Sequence, residues 1–344
     1  MKTTTYLIGL LLLIIVFFAL NLAVGTIEIP LKSVWLILMG DNSQQEIWSN
    51  IVMRSRLPQA LTAMVAGAGL AVSGMQMQTV FRNPLAGPSV LGVSSGATLG
   101  VGFVVLLSGS LGGVALSRLG YLGDAAMSVA AIIGSLAVLS LIVWVSHKVK
   151  GNVTLLVIGV MIGYLATAII GVLKFFSNEE DVKAFVVWGL GSFSRVSGDQ
   201  MLLFVTIMAI LLPLSMTLIK PLNLLLLGDG YARSLGLSIK WARTEVILCS
   251  GTLAAIVTAY CGPVMFLGLA VPHLCRALFR TSDHRTLLPA CVLAGAALAL
   301  LCNLVARMPG YEGVLPVNSV TALIGAPIVA MVLFGKNKGN KIDE

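Results

Sequence analysis

Apolar residues occur along this chain in long blocks rather than alternating with polar ones. Ten blocks stand out, at about 6–24, 60–80, 90–108, 124–146, 153–174, 200–219, 243–260, 263–279, 286–306 and 317–335. About 20 helical residues cross the roughly 30 Å hydrocarbon core of a bilayer, so each block predicts one membrane-spanning helix. The junctions have their own chemistry. "RNPLAGP" at 82–88 holds two prolines and a glycine, which end one helix and turn the chain. "GPVMF" at 262–266 does the same where the seventh and eighth blocks meet. "GPSVLGV" (87–93) and "GPVMFLGL" (262–269) echo each other, one opening an outward span and the other an inward one, which fits an inverted internal repeat.

Within the blocks, small residues recur every four positions. Gly92, Gly96 and Gly100 share one face of the third span, and Ala63, Gly67 and Ala71 one face of the second. Lipid gives no hydrophobic drive for helices to associate, and such faces let backbones approach closely.

Composition sharpens this picture. Of 344 residues, 58% are hydrophobic and only 10% charged, against about 25% charged in a soluble domain. The first block is longer than the ~7–15 apolar residues of a signal peptide, and "ALNLAVG" offers no Ala-x-Ala site, so it reads as a retained span. Cys249, Cys261, Cys275, Cys291 and Cys302 all lie in or beside apolar blocks and make no C-x-x-C pair, which favours small hydrophobes over disulfides or metal ligands. The net charge of +8 is spread over the loops. With both termini inside, fourteen Lys and Arg face the cytoplasm, Arg82, Lys150, Lys240 and Lys341 among them. Eight remain outside, including Arg54, Arg56, Arg118 and Arg307, and acids such as Glu312 lie with them. That bias sets the orientation.

No clear acid or base stands at mid-membrane depth. The polar residues there are Gln76, Gln78, His273 and Asn303. The two glutamines read as hydrogen-bonded neighbours near an inner end, and His273, alone, as an interior histidine rather than a metal ligand. Carriers driven by an ion gradient place ionisable groups at that depth, and an intramembrane enzyme needs an acid/base or nucleophile constellation. Nor does the chain hold a G-x-x-x-x-G-K-[ST] loop. If it pumps, a partner must supply the energy.

One segment breaks the apolar pattern: "GDGYARSLGLSIKWAR" at 228–243. Asp229 can cap a short helix and Gly236 can end it in a left-handed conformation. Tyr231 and Leu235 then lie one turn apart, with Arg233 on another face, and Ser238 can cap the next helix. The segment reads either as a docking element for a cytoplasmic partner or as a basic loop held by lipid head groups.

With "RSRLPQALTAMVAGAGLAVSGMQMQTVFRNPLAGPSVLGVSSGATLG" (54–100), "GPVMFLGLAVPHLCRALFRTSDHRTLLP" (262–289) and "LPVNSVTALIGAPIVAMVLF" (315–334), this segment resembles the permease subunits of type II ABC importers for ferric siderophores, haem and cobalamin. The likeness covers nearly the whole chain in the right order. It implies an all-α polytopic fold of about ten transmembrane helices, with 1–344 a single transmembrane permease domain in the bacterial inner membrane and both termini cytoplasmic. It implies a second copy of the chain, two cytoplasmic ATPase subunits, and a periplasmic or lipid-anchored binding protein. No cofactor would be bound permanently, and ATP would be used by the partner, so the chain itself would not be an enzyme. Asp229, Tyr231, Ala232, Arg233, Ser234, Leu235 and Gly236 match the family's coupling helix. Arg56 and Arg307 match outer arginines that meet glutamates of the binding protein. The family often has a second Arg where Gln59 stands, a charge that Arg54 could replace, and Asp where Asn303 stands. Span 5 and its continuation over 179–198 would line the path, with Gly159, Gly163 and Thr167 facing it or packing against a neighbour. A gradient-driven carrier of a small organic solute is the alternative function.

The charge bias makes one test direct. A reporter fused after Lys341 should be active only in the cytoplasm, and periplasmic activity there would overturn the ten-span topology.

Overall fold

The computed structural model describes residues 2–25, 27–41, 44–108, 121–149, 151–196, 198–308 and 314–339. Arg118, Lys150, Glu312 and Lys341, which enter the topology argument above, lie outside the described residues. The chain is an all-α polytopic membrane protein. Among the described residues six helices are long and apolar enough to cross a membrane, a bent pair makes a seventh if it is one span, and three shorter apolar helices accompany them. Those ten elements coincide with the ten apolar blocks.

Two compact units emerge, and they interleave along the chain. The first contains residues 1–72, 192–213 and 265–344; the second contains 73–191 and 214–264.

In the first unit lie α1 (Lys2–Ala23), the short α2 (Leu31–Leu38) and α3 (Glu46–Ile51). α3 runs through a π-helical turn, Val52–Arg56, into α4 (Leu57–Phe81), whose first part belongs here. Isoleucines and leucines cover the outward face of α1, with Ile8, Leu12 and Ile15 all more than half exposed, as a lipid-facing helix requires. Gly67 on α4 meets the backbone of Gly295 on a later helix of this unit so closely that neither position has room for a Cβ.

The second unit holds α5 (Val93–Ser108), α6 (Tyr121–Lys148), α7 (Asn152–Phe175) and α8 (Glu179–Gly189). α9 (Gly198–Met216) begins in the first unit and ends in this one. Beyond a break at Thr217–Leu218 it is followed by α10 (Ile219–Leu226), then α11 (Asp229–Ser234) and α12 (Ile239–Cys261). The sequence pattern merges the start of α10 into the sixth span; at the break Thr217 N and Leu218 N donate to the carbonyls three residues back, Leu214 O at 3.2 Å and Ser215 O at 3.3 Å, so the helix tightens into a turn. Gly96 and Gly100 pack α5 onto α6, where a Cβ on Gly96 would lie 2.5 Å from Gly134 O. Gly92, expected on the same face, lies outside α5: it ends a 3₁₀ turn, Pro88–Leu91, with φ +75° and faces α7 instead.

Returning to the first unit, α13 (Leu267–Phe279), α14 (His284–Ala306) and α15 (Val317–Gly339) complete the chain. α13 is shorter than the block at 263–279, because Phe266 adopts φ +65° and helix begins only after it. Unpaired backbone cannot be left in an apolar medium. Here Asn318 at the head of α15 accepts a hydrogen bond from Met265 N at 2.9 Å. Gly325 on the same helix leaves room for the Phe266 side chain, whose Cβ would be 2.7 Å from any Cβ placed there.

The glycine contacts give a stability test. Gly134→Leu would force apart the backbones of α5 and α6, and overpacking of this kind costs about 1–3 kcal/mol or more. Gly9 on α1 has open space where a Cβ would go. Thermal unfolding of the detergent-solubilised variants, followed by size-exclusion recovery, should show a clear drop for Gly134→Leu and none for Gly9→Leu. Equal behaviour of the two would mean that the α5–α6 contact is not tight.

Candidate functional site

The segment at 228–243 folds as a short helix held rigidly at both ends. α11 starts after Gly228, whose φ of +99° and ψ of 153° suit only glycine. Asp229 is its first residue and does not cap it. Its carboxylate is taken instead by two arginines: Oδ1 lies 2.5 Å from Arg82 Nη2 and Oδ2 lies 2.7 Å from Arg243 Nη2. Charge-assisted bonds to guanidinium are roughly twice as strong as neutral ones, so they win over the helix N–H groups. Arg82 also donates to the Leu225 carbonyl at the end of α10, at 3.2 Å.

At the other end Gly236 has φ +83°, as expected. Gly236 N donates to Arg233 O at 2.9 Å and Leu237 N to Ala232 O at 3.0 Å. These two bonds form the paired closure in which a left-handed residue satisfies the last helical carbonyls. Ser238 precedes α12 but makes no side-chain cap bond. Ala232 is fully buried, which seats the helix. Tyr231 and Leu235 point away, 74% and 61% exposed. Arg233 and Ser234 are exposed too. The product is a fixed short helix offering an aromatic, an aliphatic and a cationic side chain.

The arginines expected on the outer face separate into two kinds. Arg54 and Arg56 are two residues apart on a helical turn, so they face nearly opposite directions. Arg54 is exposed. Arg56 is buried, only 2% exposed, so it does not present a charge at the surface as expected. Its Nη1 donates to Leu22 O at 2.8 Å and Ala23 O at 2.7 Å, and its Nη2 donates to Ile27 O. Leu22 and Ala23 end α1, and the last carbonyls of a helix have no partner within it. Arg56 supplies one from a neighbouring helix.

Arg307, just past α14, is half-buried and lies 3.4 Å from Asn21 O. Burial and the nearby Arg56 push its pKa down to about 10. Both guanidinium groups reach over Gly25, where a Cβ would stand 2.9 Å from one and 3.0 Å from the other.

Gln59 is buried as well, so its position offers no docking charge. Its amide donates to Asn303 Oδ1 at 3.0 Å, Asn303 donates to Asn21 Oδ1 at 2.7 Å, and Asn21 donates to Phe17 O at 2.8 Å and Leu300 O at 3.0 Å. The two departures from the family pattern are thus direct partners. Asn21, overlooked in the sequence, completes the ladder; a lone amide in the otherwise apolar "FFALNLAVG" was the available signal.

On α7, Gly159 is buried against the 3₁₀ turn, where a Cβ would lie 2.5 Å from Val90 O, so it serves packing. Gly163 faces Ser95 at 3.3 Å. Thr167 is exposed and returns a bond to Gly163 O at 2.9 Å. The outward side of α7 is strongly apolar, with Tyr164 at 68% and Leu165 at 62% exposure. In α8, Phe185 and Trp188 are buried. So is Asp181, whose carboxylate has no hydrogen-bond partner among the described residues. Burial, and then the neighbouring Glu180, raise its pKa above the usual carboxylate range.

With this geometry in place, comparison with known proteins is informative. The profile of the FecCD transport family matches residues 12–335. The chain is 36% identical over 322 residues to the hemin transport system permease protein HmuU of Yersinia pestis, covering 93% of this chain and 92% of that one. It is 34% identical over 332 residues to the vitamin B12 import system permease protein BtuC of Klebsiella pneumoniae, covering 96% and 94%. A solved structure assigned to a metal-chelate type ABC transporter in an inward-facing conformation superposes with a TM-score of 0.82 at 30% identity, over 96% of this chain and 99% of that one. Family match, near-full-length relatives and shared fold agree, and the chain belongs to the FecCD transport family.

Proposed function

We propose that this chain is the permease subunit of an ATP-driven importer that moves an iron chelate, as a siderophore complex or haem, or cobalamin across the bacterial inner membrane. The haem and vitamin B12 permeases among its relatives support that substrate class. In this reading 1–344 acts as one transmembrane permease domain and pairs with a second copy. Both termini are cytoplasmic, two ATPase subunits hydrolyse ATP, and a separate binding protein delivers the substrate. The permease itself holds no permanent cofactor.

The observation that carries this reading is α11. A helix that transmits force must be rigid and must present side chains to a partner. Asp229 is clamped by two arginines and Gly236 closes the far end, while Tyr231 and Leu235 stand out into open space. An exposed apolar pair on so firmly held a helix suits insertion into a protein cleft. Tyr231, Arg233, Ser234 and Leu235 make the contact, and Asp229, Ala232 and Gly236 hold the helix in position. On the outer face Arg54 and Arg307 are the docking cations, and Arg56 acts by fixing the backbone beside Arg307. Along the path Thr167 and Gly163 contribute from α7, with Gly159 in a packing role.

Two experiments test the reading. Nothing lies within 4 Å of a Cβ placed on Gly236, so the cost of Gly236→Val is set by the left-handed backbone. A β-branched residue there costs about 1–3 kcal/mol, whereas Asn should be tolerated. Gly236→Val should fail in uptake and Gly236→Asn should not, while Arg233→Glu should weaken assembly with the ATPase. The assays are co-purification with the ATPase, ATP hydrolysis and uptake. Normal assembly and transport in both Gly236→Val and Arg233→Glu would remove the coupling role.

For the outer face, Arg54→Glu combined with Arg307→Glu should lower binding-protein affinity at low salt, with a smaller effect at high salt as screening grows. An unchanged affinity at low ionic strength would exclude both from the interface.

A further inference from the structure

The coupling reading uses Tyr231, Arg233, Ser234 and Leu235 of α11; Arg233 alone of these four also borders the space behind the helix, which that reading leaves unexplained. There, within the second unit, lies a cavity of about 500 Å³. The ends of α4 and α6, the start of α7, α11 and the first turns of α12 wall it. Arg233, Lys240 and Arg243 all line it. The acid among the lining residues is Asp229, and both of its oxygens are already engaged by Arg82 and Arg243. Among the described residues Arg233 and Lys240 have no carboxylate partner, and the buried Nε of Arg243 has no acceptor at all. The wall therefore carries a positive charge and an unused donor. Ser146 and His147 from the end of α6 complete the polar lining.

The rim identifies the level of the cavity relative to a bilayer. α6 ends and α12 begins here, and both are apolar enough to cross a membrane. Trp144 and Trp241 stand at these ends, 56% and 65% exposed. Lys148 Nζ sits 4.0 Å from the centre of the Trp144 ring, and His147 meets the edge of Trp241 with ring centres 6.3 Å apart. Exposed tryptophans beside lysines at helix ends are the arrangement found at the head-group level of a membrane. A basic pocket between spanning helices at that level suits a phosphate head group. The arginine fork matches phosphate oxygens, while Lys240 adds a point charge.

We propose that this cavity holds the head-group phosphate of an anionic phospholipid, whose acyl chains leave past Trp144 and Trp241 into the bilayer. The bound phosphate links Arg233 on the coupling helix to Lys240 and Arg243 at the foot of α12. Occupancy thereby stiffens the joint through which α11 would act. This inference rests on the assignment of 228–243 to the cytoplasmic face and to coupling.

The test is native mass spectrometry of the full-length permease, purified in detergent without its ATPase and titrated with phosphatidylglycerol, phosphatidylcholine or inorganic phosphate. Phosphatidylglycerol should be retained on the order of tenfold more tightly than phosphatidylcholine, and the paired substitution Arg233→Gln with Lys240→Gln should abolish most of that preference, each basic charge being worth roughly fivefold. Both side chains are exposed, so the pair should leave the fold intact, which thermal unfolding checks. Tyr231→Ala with Leu235→Ala removes two exposed side chains that lie outside the cavity and leaves the helix closure intact, so it should keep the lipid preference even if it loses transport, and failure of the coupling assignment and failure of this one are read separately. Equal retention of the two lipids overturns the proposal. So does a preference that survives the paired substitution. Binding of inorganic phosphate with no lipid preference would show that the cavity takes a free anion instead, and loss of bound lipid on adding the ATPase would show that protein fills it.

Discussion

Helix ends whose carbonyls have no partner within the helix are the constraint around which this chain is built. Each helix leaves up to four carbonyls unpaired at its C-terminus, and a spanning chain made of many short and broken helices has many such ends. The arginines answer that need. Arg56 takes the carbonyls of Leu22, Ala23 and Ile27, Arg82 takes that of Leu225, and Arg307 lies against that of Asn21. A guanidinium has five donors in a fixed fork and stays charged, and cations are favourable at helix C-termini. The opposite need, an unpaired N–H, is met at the non-helical entry to α13, where Asn318 Oδ1 accepts from Met265 N.

The functional elements draw on this economy of polar groups. Arg82 joins the end of α10 to the start of α11 by holding Leu225 O and Asp229 together, so α11 is fixed to the helix before it. Arg243 fixes it to the helix after it. On the other unit Arg56 orders the loop beside Arg307, and the ladder from Gln59 through Asn303 to Asn21 ties α4, α14 and α1 without any formal charge. A neutral amide ladder avoids the several kcal/mol per ion that burying a charge pair would cost. Helix contact itself comes from small residues such as the Gly67–Gly295 and Gly96–Gly134 pairs, because lipid supplies no competing hydrophobic force.

These placements explain which functional readings were legible. The short helix within 228–243 was, because a glycine needing φ > 0 and a charged segment among apolar blocks are local signals. Its anchoring was not: a lone Asp at a helix start reads as a cap, and nothing local announces that residues 82 and 243 converge on it. Arg56 reads as an outer-surface charge since it follows a loop, and only the arrival of the α1 terminus beside it turns it inward. Gly159 shares a spacing with Gly163 that fits either a path or a contact, and the 3₁₀ turn decides for contact.

The sequence by itself determined the all-helical membrane class, the ten apolar elements, the breaks at 82–88 and 262–266 and the left-handed stop at Gly236, since all of these follow from hydropathy, proline and glycine over a few residues. Tertiary structure alone decided the partners of Asp229, Arg56, Gln59 and Asn303, the interleaving of the two compact units and the basic cavity behind α11. Those depend on which distant carbonyls and carboxylates are left unpaired once the helices pack. A polar side chain in an apolar medium goes to whichever unmet group lies within reach, and that is fixed by the fold rather than by its neighbours in sequence.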